Sequence, residues 1–168
     1  MSIINIPYLF SGKVAFQRYE EIESRIFKFD NYSAIGRDES GQYNLYLVEL
    51  GDPNNPTLMI TAGMHGTEWQ ATQYTMSFME QLRDNTFPDR SLRELLLKHF
   101  HIAYIPVINP WGINNTTPYA IIQGRYNSNG VDLNRDFYEF TQAESRHTKA
   151  VMDRLQPFAY LDAHMIRG

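Results

Sequence analysis

Two histidines each follow directly on an apolar segment of strand length. His65 comes after residues 57–63, and His164 comes after residues 158–163. In open α/β sheets, ligands bind beyond the carboxyl ends of the strands, so these two side chains can converge on one point. Glu68, three residues after His65 at a strand-to-helix turn, can reach the same ion. Two imidazoles and one carboxylate favour a catalytic zinc ion, which keeps a fourth position for water.

Simpler roles for these residues stay open on spacing alone. Glu68 would also suit the first turn of a helix, where the helix dipole favours a carboxylate. The other three histidines, His99, His101 and His147, occupy a strand entrance and a polar helical stretch. We expect ordinary structural or surface roles for them, because matches to short motifs are often false.

A long segment from about residue 112 to 137 is rich in Asn, Gly and Thr. Loops of this length in a compact domain are usually functional or disordered. The adjacent Asn134 and Arg135 could grip a carboxylate, because the guanidinium fork binds it bidentately. A second arginine in this segment, Arg125, could stabilise the oxyanion of a tetrahedral intermediate. The alternative is an Arg/Asp pair that only ties down the loop.

The rest of the chain alternates helix and strand patterns, with glycine and proline at the boundaries. Thr67 and Ser91 are predicted N-caps, and Glu94 is the capping-box partner of Ser91. The alternation predicts an α/β fold with a buried sheet, mixed or parallel. Helical spacing predicts helices over 19–29, 67–85, 91–98 and 141–155. Apolar or alternating runs predict strands over 32–37, 43–50, 57–63, 102–108 and 158–163.

The composition limits the classes of function. The chain has 168 residues, a net charge of −4 and a hydrophobic fraction of 43%, which is typical of one soluble globular domain. It has no cysteine, so a metal site must use His, Asp and Glu. The mild acidity gives no electrostatic basis for binding nucleic acid or an anionic membrane. No apolar run approaches the roughly 20 residues of a membrane helix, and residues 1–13 lack the basic region of a signal peptide, so we expect a cytoplasmic protein.

Four motifs, in this order along the chain, resemble those of the zinc carboxypeptidases of the carboxypeptidase A type. They are His65-Gly66-Thr67-Glu68, Asn109-Pro110-Trp111-Gly112, Gly130-Val131-Asp132-Leu133-Asn134-Arg135-Asp136-Phe137 and Asp162-Ala163-His164. Each stands at the end of a predicted element, and the resemblance covers residues 19–168. Trp111 replaces the usual aspartate of the second motif, which we interpret as a change within a turn.

The resemblance implies a single zinc ion and its surroundings. His65, Glu68 and His164 would bind the ion, and Asp132 would fix the tautomer and orientation of the His65 imidazole. The implied fold is a three-layer α/β/α arrangement of the phosphorylase/hydrolase-like kind, with a mixed, mostly parallel sheet that lacks the family's C-terminal strands. In that sheet, the strand before His65 would lie between the strand over 102–108 and the strand before His164.

The resemblance also implies hydrolysis of an amide bond next to a free carboxylate, through a zinc-bound water. Asn134 and Arg135 would bind the terminal carboxylate of the substrate, and Arg125 would polarise the scissile carbonyl and hold the oxyanion. The substrate would be a peptide or an N-acyl amino acid, because the spacing is also close to that of the aspartoacylase and succinylglutamate desuccinylase relatives.

The general-base glutamate of this family lies well beyond the third zinc ligand, and no residue here matches it. Glu139 and Glu144 are near His164 in sequence only. Without a positioned base, a loss of about 10²-fold in rate is ordinary. A catalytically silent module that binds zinc and a carboxylate is therefore one alternative to a zinc metallocarboxypeptidase, and an N-acyl amino acid deacylase of the aspartoacylase type is another.

The last predicted strand, over 158–163, would form an edge of the sheet although it is apolar on both faces. An exposed apolar edge promotes aggregation. We therefore expect residues 1–168 to form a single domain that is incomplete at its C-terminus. A C-terminal remainder of the same protein, or a second chain, would then cover this strand.

Overall fold

A computed structural model describes residues 15–165, so residues 1–13, which carry the expectation of no signal peptide, lie outside the described part. Five strands form one sheet: β1 (Tyr32–Arg37), β2 (Asn44–Leu50), β3 (Thr57–Ala62), β4 (His101–Ile105) and β5 (Ala159–Ala163). Their order is β1-β2-β4-β3-β5. β3 pairs in parallel with β4 and β5, whereas β2 pairs antiparallel with β1 and β4. The predicted mixed sheet is confirmed, and so is the place of β3 between β4 and β5.

The helices are α1 (Tyr19–Ile26), α2 (Trp69–Arg83), α3 (Arg90–His99), α4 (Pro110–Asn114) and α5 (Ala143–Leu155). The four predicted helices are therefore present. The short α4 was not predicted, although Asn109 as N-cap and Pro110 in the first turn are typical start signals. Among residues 15–165, no helix has the length and apolar character that crossing a bilayer requires.

Side chains from the two faces of the sheet enter two separate cores, because successive residues of a strand point to opposite faces. Tyr104 of β4 packs in one core with Ile22 of α1 and Met76 of α2. The next residue, Ile105, packs in the other core with Val151 of α5. The helices therefore cover both faces, which gives the predicted α/β/α layers.

Internal and edge strands differ in burial. Every residue of β4 is buried, as expected for an internal strand of an α/β sheet. β5 pairs only with β3 within the described residues, and Leu161 in it is 57% exposed. The metal-ligand candidates follow β3 and β5, one internal strand and one edge strand.

Both predicted N-caps are wrong. A 3-10 turn over Gly66–Glu68 precedes α2, so the helix begins at Trp69 and Thr67 is not its N-cap. The cap of α3 is Asp89, whose side chain accepts a hydrogen bond from the backbone N–H of Leu92. Ser91 lies inside α3 and donates to that same carboxylate. Aspartate and serine are both favoured N-cap residues, so residue type alone does not distinguish Asp89 from Ser91.

Candidate metal centre

The turn after β3 places His65 and Glu68 on the same side. Gly63 has a φ of +65°, in the left-handed region that favours glycine. Gly66 lies so close to α4 that a Cβ there would be 2.2 Å from the backbone of Gly112. The chain can therefore reverse tightly, and the 3-10 turn over Gly66–Glu68 directs the glutamate back toward His65.

The carboxylate of Glu68 lies between the two histidine rings. Its Oε1 is 2.8 Å from His65 Nδ1, and its Oε2 is 2.9 Å from His164 Nδ1. The backbone N–H of Met165 also donates to Oε2, at 2.9 Å. One carboxylate thus joins the ends of β3 and β5, which are far apart in sequence.

An aspartate holds the other nitrogen of each ring. His65 Nε2 is 2.9 Å from Asp132 Oδ1, and His164 Nε2 is 2.7 Å from Asp162 Oδ2. Because a carboxylate only accepts hydrogen bonds, each Nε2 donates its proton to an aspartate. Each Nδ1 is then the nitrogen that faces the shared glutamate.

The charges in this cluster are strongly coupled. Hydrogen bonds to Asp162 and then to Glu68 raise the pKa of His164 to about 10. Burial alone would raise the pKa of Glu68, but hydrogen bonds from His164 and His65 outweigh it and hold that pKa well below its usual range. The carboxylate of Glu68 is therefore negatively charged and lies between the two imidazole rings.

The donor set fits zinc. His65, Glu68 and His164 each offer a ligand atom, and these atoms all lie within 4.8 Å of one another. Two imidazole nitrogens and one carboxylate are a known ligand set of catalytic zinc, and the aspartates behind the rings are the usual partners of zinc-bound histidines. A divalent ion would bind the unprotonated Nδ1 atoms and the carboxylate of Glu68, because metal ligands must be deprotonated.

Arg125 and Asp132 form an ion pair beside His65. Arg125 Nη2 donates to Asp132 Oδ2 at 2.9 Å, while Oδ1 of the same carboxylate binds His65. Burial would raise the pKa of Asp132, but hydrogen bonds from His65 and Arg125 lower it. Asn134 and Arg135 lie on a 3-10 turn directly after this aspartate, and both are exposed. The structure thus brings Arg125 and Asp132 to the ligands and leaves Asn134 and Arg135 at the adjacent surface.

A buried amide, Asn127, organises the loop between Arg125 and Asp132. Its Oδ1 accepts hydrogen bonds from the backbone of Asn129 and Val131, which closes the turn. Its Nδ2 donates to Gln142 at 2.9 Å and to Glu144 at 3.3 Å, both near the start of α5. The position of the loop therefore depends on α5.

Sequence reasoning missed Asp162 and Asn127 as site residues. Asp162 stands two residues before His164 in the last motif, and alternate residues of a strand share a face; that spacing was the available signal. Nothing in the sequence identifies Asn127 among the several asparagines of its loop, because its role depends on contacts with the distant α5.

Within residues 15–165, three carboxylates contact His65 or His164, and each is already hydrogen-bonded. They are Glu68, Asp132 and Asp162. Glu144 is buried and binds Asn127 and the backbone N–H of Glu39 instead, while Glu139 is exposed. The described residues therefore place neither Glu139 nor Glu144 against the histidines.

Comparison with known proteins gives one consistent family. Residues 22–164 match the family model described as zinc carboxypeptidase. The catalytic chain of carboxypeptidase N from Rattus norvegicus is 32% identical over 141 residues, which is 71% of this chain and 30% of that protein. Carboxypeptidase SOL1 from Arabidopsis thaliana is 24% identical over 161 residues, covering 89% of this chain and 31% of the relative. The chain thus spans less than a third of the length of these relatives.

Solved structures show the same fold. A metallo-carboxypeptidase from Burkholderia cenocepacia superposes with a TM-score of 0.71 at 18% identity, over 88% of this chain and 40% of the other. Bovine thrombin-activatable fibrinolysis inhibitor, in complex with tick carboxypeptidase inhibitor, superposes with a TM-score of 0.72 at 19% identity, over 90% of this chain and 61% of the other. Together with the family match over most of its length, these findings show that the chain belongs to the zinc carboxypeptidase family.

Proposed function

We propose that this chain forms the zinc-binding part of a metallocarboxypeptidase, which hydrolyses the last amide bond of a peptide next to its free carboxylate. The observation that carries this proposal is the convergence of His65 Nδ1 and His164 Nδ1 on Glu68, with an aspartate behind each ring. A buried or structural histidine needs no such arrangement of three carboxylates. The family match supports the same chemistry.

The residues around the ligands have separable roles in the proposed reaction. A bound zinc ion supplies a Lewis acid that acidifies water and polarises the scissile carbonyl. Asp132 orients His65 and holds Arg125 beside it. Arg125 is partly exposed there, so its guanidinium can donate to the oxygen on which negative charge develops.

Asn134 and Arg135 are the proposed contacts for the terminal carboxylate of the substrate. Both are exposed and follow Asp132 by two and three residues on the same short turn. A guanidinium binds a carboxylate bidentately, and the neighbouring amide can add a third hydrogen bond. This arrangement favours substrates that carry a free carboxylate next to the bond that is cleaved.

A catalytically silent module that binds zinc and a carboxylate is the second candidate. The carboxylates of Glu68, Asp132 and Asp162 favour this candidate. Each of them is hydrogen-bonded to His65 or His164, so none of the three is left to act as a general base. A deacylase of N-acyl amino acids would use the same metal ligands and the same carboxylate contacts, so only the choice of substrate separates it from a peptidase.

The exposed edge strand supports a further part of the proposal: another segment of the protein, or a second chain, covers β5. Leu161 is 57% exposed and Tyr160 is 40% exposed on this strand, and apolar edges of this kind pair readily with other strands. A monomeric protein with a solvated β5, shown by rapid exchange of the amides on the edge that faces away from β3, would contradict this. A cytoplasmic location stays a prediction.

The proposal is tested by zinc-dependent release of C-terminal amino acids from a mixed set of peptides, with N-acyl amino acids assayed in parallel. Release from peptides that stops with a chelator and returns with zinc is the expected result. Bound zinc without turnover would support the silent module, and turnover of N-acyl amino acids alone would support the deacylase. A chain that binds no zinc would contradict all three. Arg135→Gln, which removes the proposed carboxylate contact, should raise the KM for the peptide. Arg37→Gln, at the opposite edge of the sheet, is its matched control.

A further inference from the structure

We infer that Asp162 positions His164 for the metal ion, and that Thr61 of β3 in turn holds Asp162. This inference rests on the proposed function, because it concerns how the same zinc ion would be held. It adds two residues, one on each of two neighbouring strands, to the group that determines zinc affinity.

The direct contact is the short hydrogen bond between His164 Nε2 and Asp162 Oδ2, at 2.7 Å. Asp162 lies in β5, two residues before the histidine, so both side chains leave the strand on the same face. The carboxylate thereby fixes the ring with Nδ1 toward Glu68. A carboxylate behind a metal-binding imidazole sets its tautomer and raises its basicity.

The second contact anchors the aspartate to the interior of the sheet. Thr61 Oγ1 donates to Asp162 Oδ1 at 2.8 Å, and the two residues are directly opposite each other in the parallel pairing of β3 with β5. Thr61 is fully buried. Since its single hydroxyl proton goes to the aspartate, the Tyr160 hydroxyl, 2.8 Å away, is the donor to Thr61 Oγ1. The hydrogen bonds thus run from Tyr160 through Thr61 to Asp162.

The hydrogen bonds to Asp162 matter because His164 is less constrained by packing than His65. Its side chain is 29% exposed, whereas that of His65 is 2% exposed. The ring follows the edge strand directly, and it has fewer neighbours to hold it than a buried ring has. Thr61 lies on the strand that leads to His65, so the two hydrogen bonds to Asp162 fix His164 relative to the other histidine.

The test measures zinc affinity by competition with a chromophoric chelator, for the whole chain and a graded set of variants. Asp162→Ala should weaken zinc binding about 10- to 100-fold. Asp162→Asn keeps an acceptor without the charge and should weaken it less. Thr61→Val should weaken it several-fold, while Thr61→Ser, which keeps the hydroxyl, should match the wild-type chain. Asp153→Asn, on the exposed face of α5, is the control for loss of a carboxylate.

A spectroscopic signal separates positioning from loss of fold. In zinc-loaded wild-type chain, ¹⁵N spectra of the imidazoles should show a hydrogen-bonded proton on His164 Nε2, and this signal should shift or exchange rapidly in Asp162→Asn. Urea unfolding midpoints of Asp162→Asn and Thr61→Val establish that the compared chains are folded.

Two results would overturn the inference. One is wild-type zinc affinity in folded Asp162→Asn and Thr61→Val, which would leave the proposed function intact. The other is a wild-type chain that binds no zinc at all, which would overturn the proposed function together with the inference.

Discussion

The two histidines of the metal centre reach the same carboxylate from unequal surroundings. His65 follows an internal strand, is almost fully buried, and contacts an aspartate from a loop 67 residues later in the chain. His164 follows the edge strand, is partly exposed, and contacts an aspartate two residues earlier in the same strand. Each imidazole is therefore held by an aspartate, but in a different way. The contact of His65 depends on packing between distant segments, whereas the contact of His164 depends on the geometry of one strand.

The site has two halves, which differ in the second partner of the aspartate. The His65 half consists of His65, Asp132 and Arg125, and the His164 half consists of His164, Asp162 and Thr61. Asp132 also binds Arg125, so the His65 half joins the ligands to the proposed substrate contacts. Asp162 also binds Thr61, so the His164 half joins the ligands to the pairing of β3 with β5. We therefore expect a change at Asp132 to affect zinc binding and catalysis together, and a change at Asp162 to affect zinc binding alone.

The largest loss of zinc affinity is expected when a candidate ligand of the His65 half is removed. His65→Ala should reduce zinc affinity by more than the roughly 100-fold that loss of a supporting carboxylate can cause. The reason is that a direct ligand disappears and Asp132 loses one of its two partners in the same step. Zinc content after dialysis measures this, with His99→Ala at the exposed end of α3 as control; full zinc retention in His65→Ala would contradict the assignment.

Arg125→Ala separates catalysis from metal binding on the same half. Loss of a donor to the developing oxyanion costs about 10²- to 10³-fold in kcat, and we expect a fall of this size with a stoichiometric zinc content. Steady-state kinetics on a C-terminally free peptide, alongside zinc analysis, test this. An unchanged kcat would show that Arg125 only ties down its loop.

Asp132→Asn compared with Asp162→Asn tests the difference between the halves directly. Both should weaken zinc binding, by up to about 10- to 100-fold. At saturating zinc, Asp132→Asn should keep a reduced kcat because Arg125 has lost its ion pair, whereas Asp162→Asn should recover. Equal recovery of the two variants at saturating zinc would show that the halves do not differ in this way.

Asp136→Asn tests how α5 holds the loop of the His65 half, through stability and its pH dependence. Burial alone would raise the pKa of Asp136, but hydrogen bonds from Ser145, Thr141 and the backbone of Gln142 outweigh it and lower that pKa. Because the pKa is lower in the folded state, the stabilisation is present above the unfolded value of 3.8 and is lost as the pH falls through the folded value.

The substitution should therefore cost about 1–3 kcal/mol of unfolding free energy at pH 7, and the difference from wild type should shrink below pH 3.8. Urea unfolding at pH 7 and at pH 3 measures both values. A difference that stays the same at the two pH values would contradict the role of the charge, and Asp153→Asn, exposed on α5, controls for general charge effects.

The sequence predicted most where local spacing determines the geometry. The convergence of the candidate ligands could be predicted because His65 and His164 follow apolar strands and Glu68 follows at a turn. Parallel strands bring their carboxyl ends together. Asp162 was within reach of the same reasoning, because it shares a strand face with His164.

Contacts between distant segments could not be predicted in this way. The anchoring of Asn127 on Gln142 and Glu144 depends on how α5 packs beside the loop. The 3-10 turn that displaces Thr67 from its predicted cap depends on the close approach of α4 to Gly66. Neither contact follows from residue type or spacing, because both are results of tertiary packing.

X-ray absorption spectroscopy of the zinc-loaded chain tests whether His65, Glu68 and His164 hold one zinc ion. We expect one zinc per chain, with two imidazole nitrogens at about 2.0–2.1 Å and oxygen atoms as the remaining ligands. In His164→Ala one imidazole should disappear from the spectrum. A zinc environment with fewer than two imidazoles in the wild-type chain, or one that His164→Ala leaves unchanged, would contradict the claim.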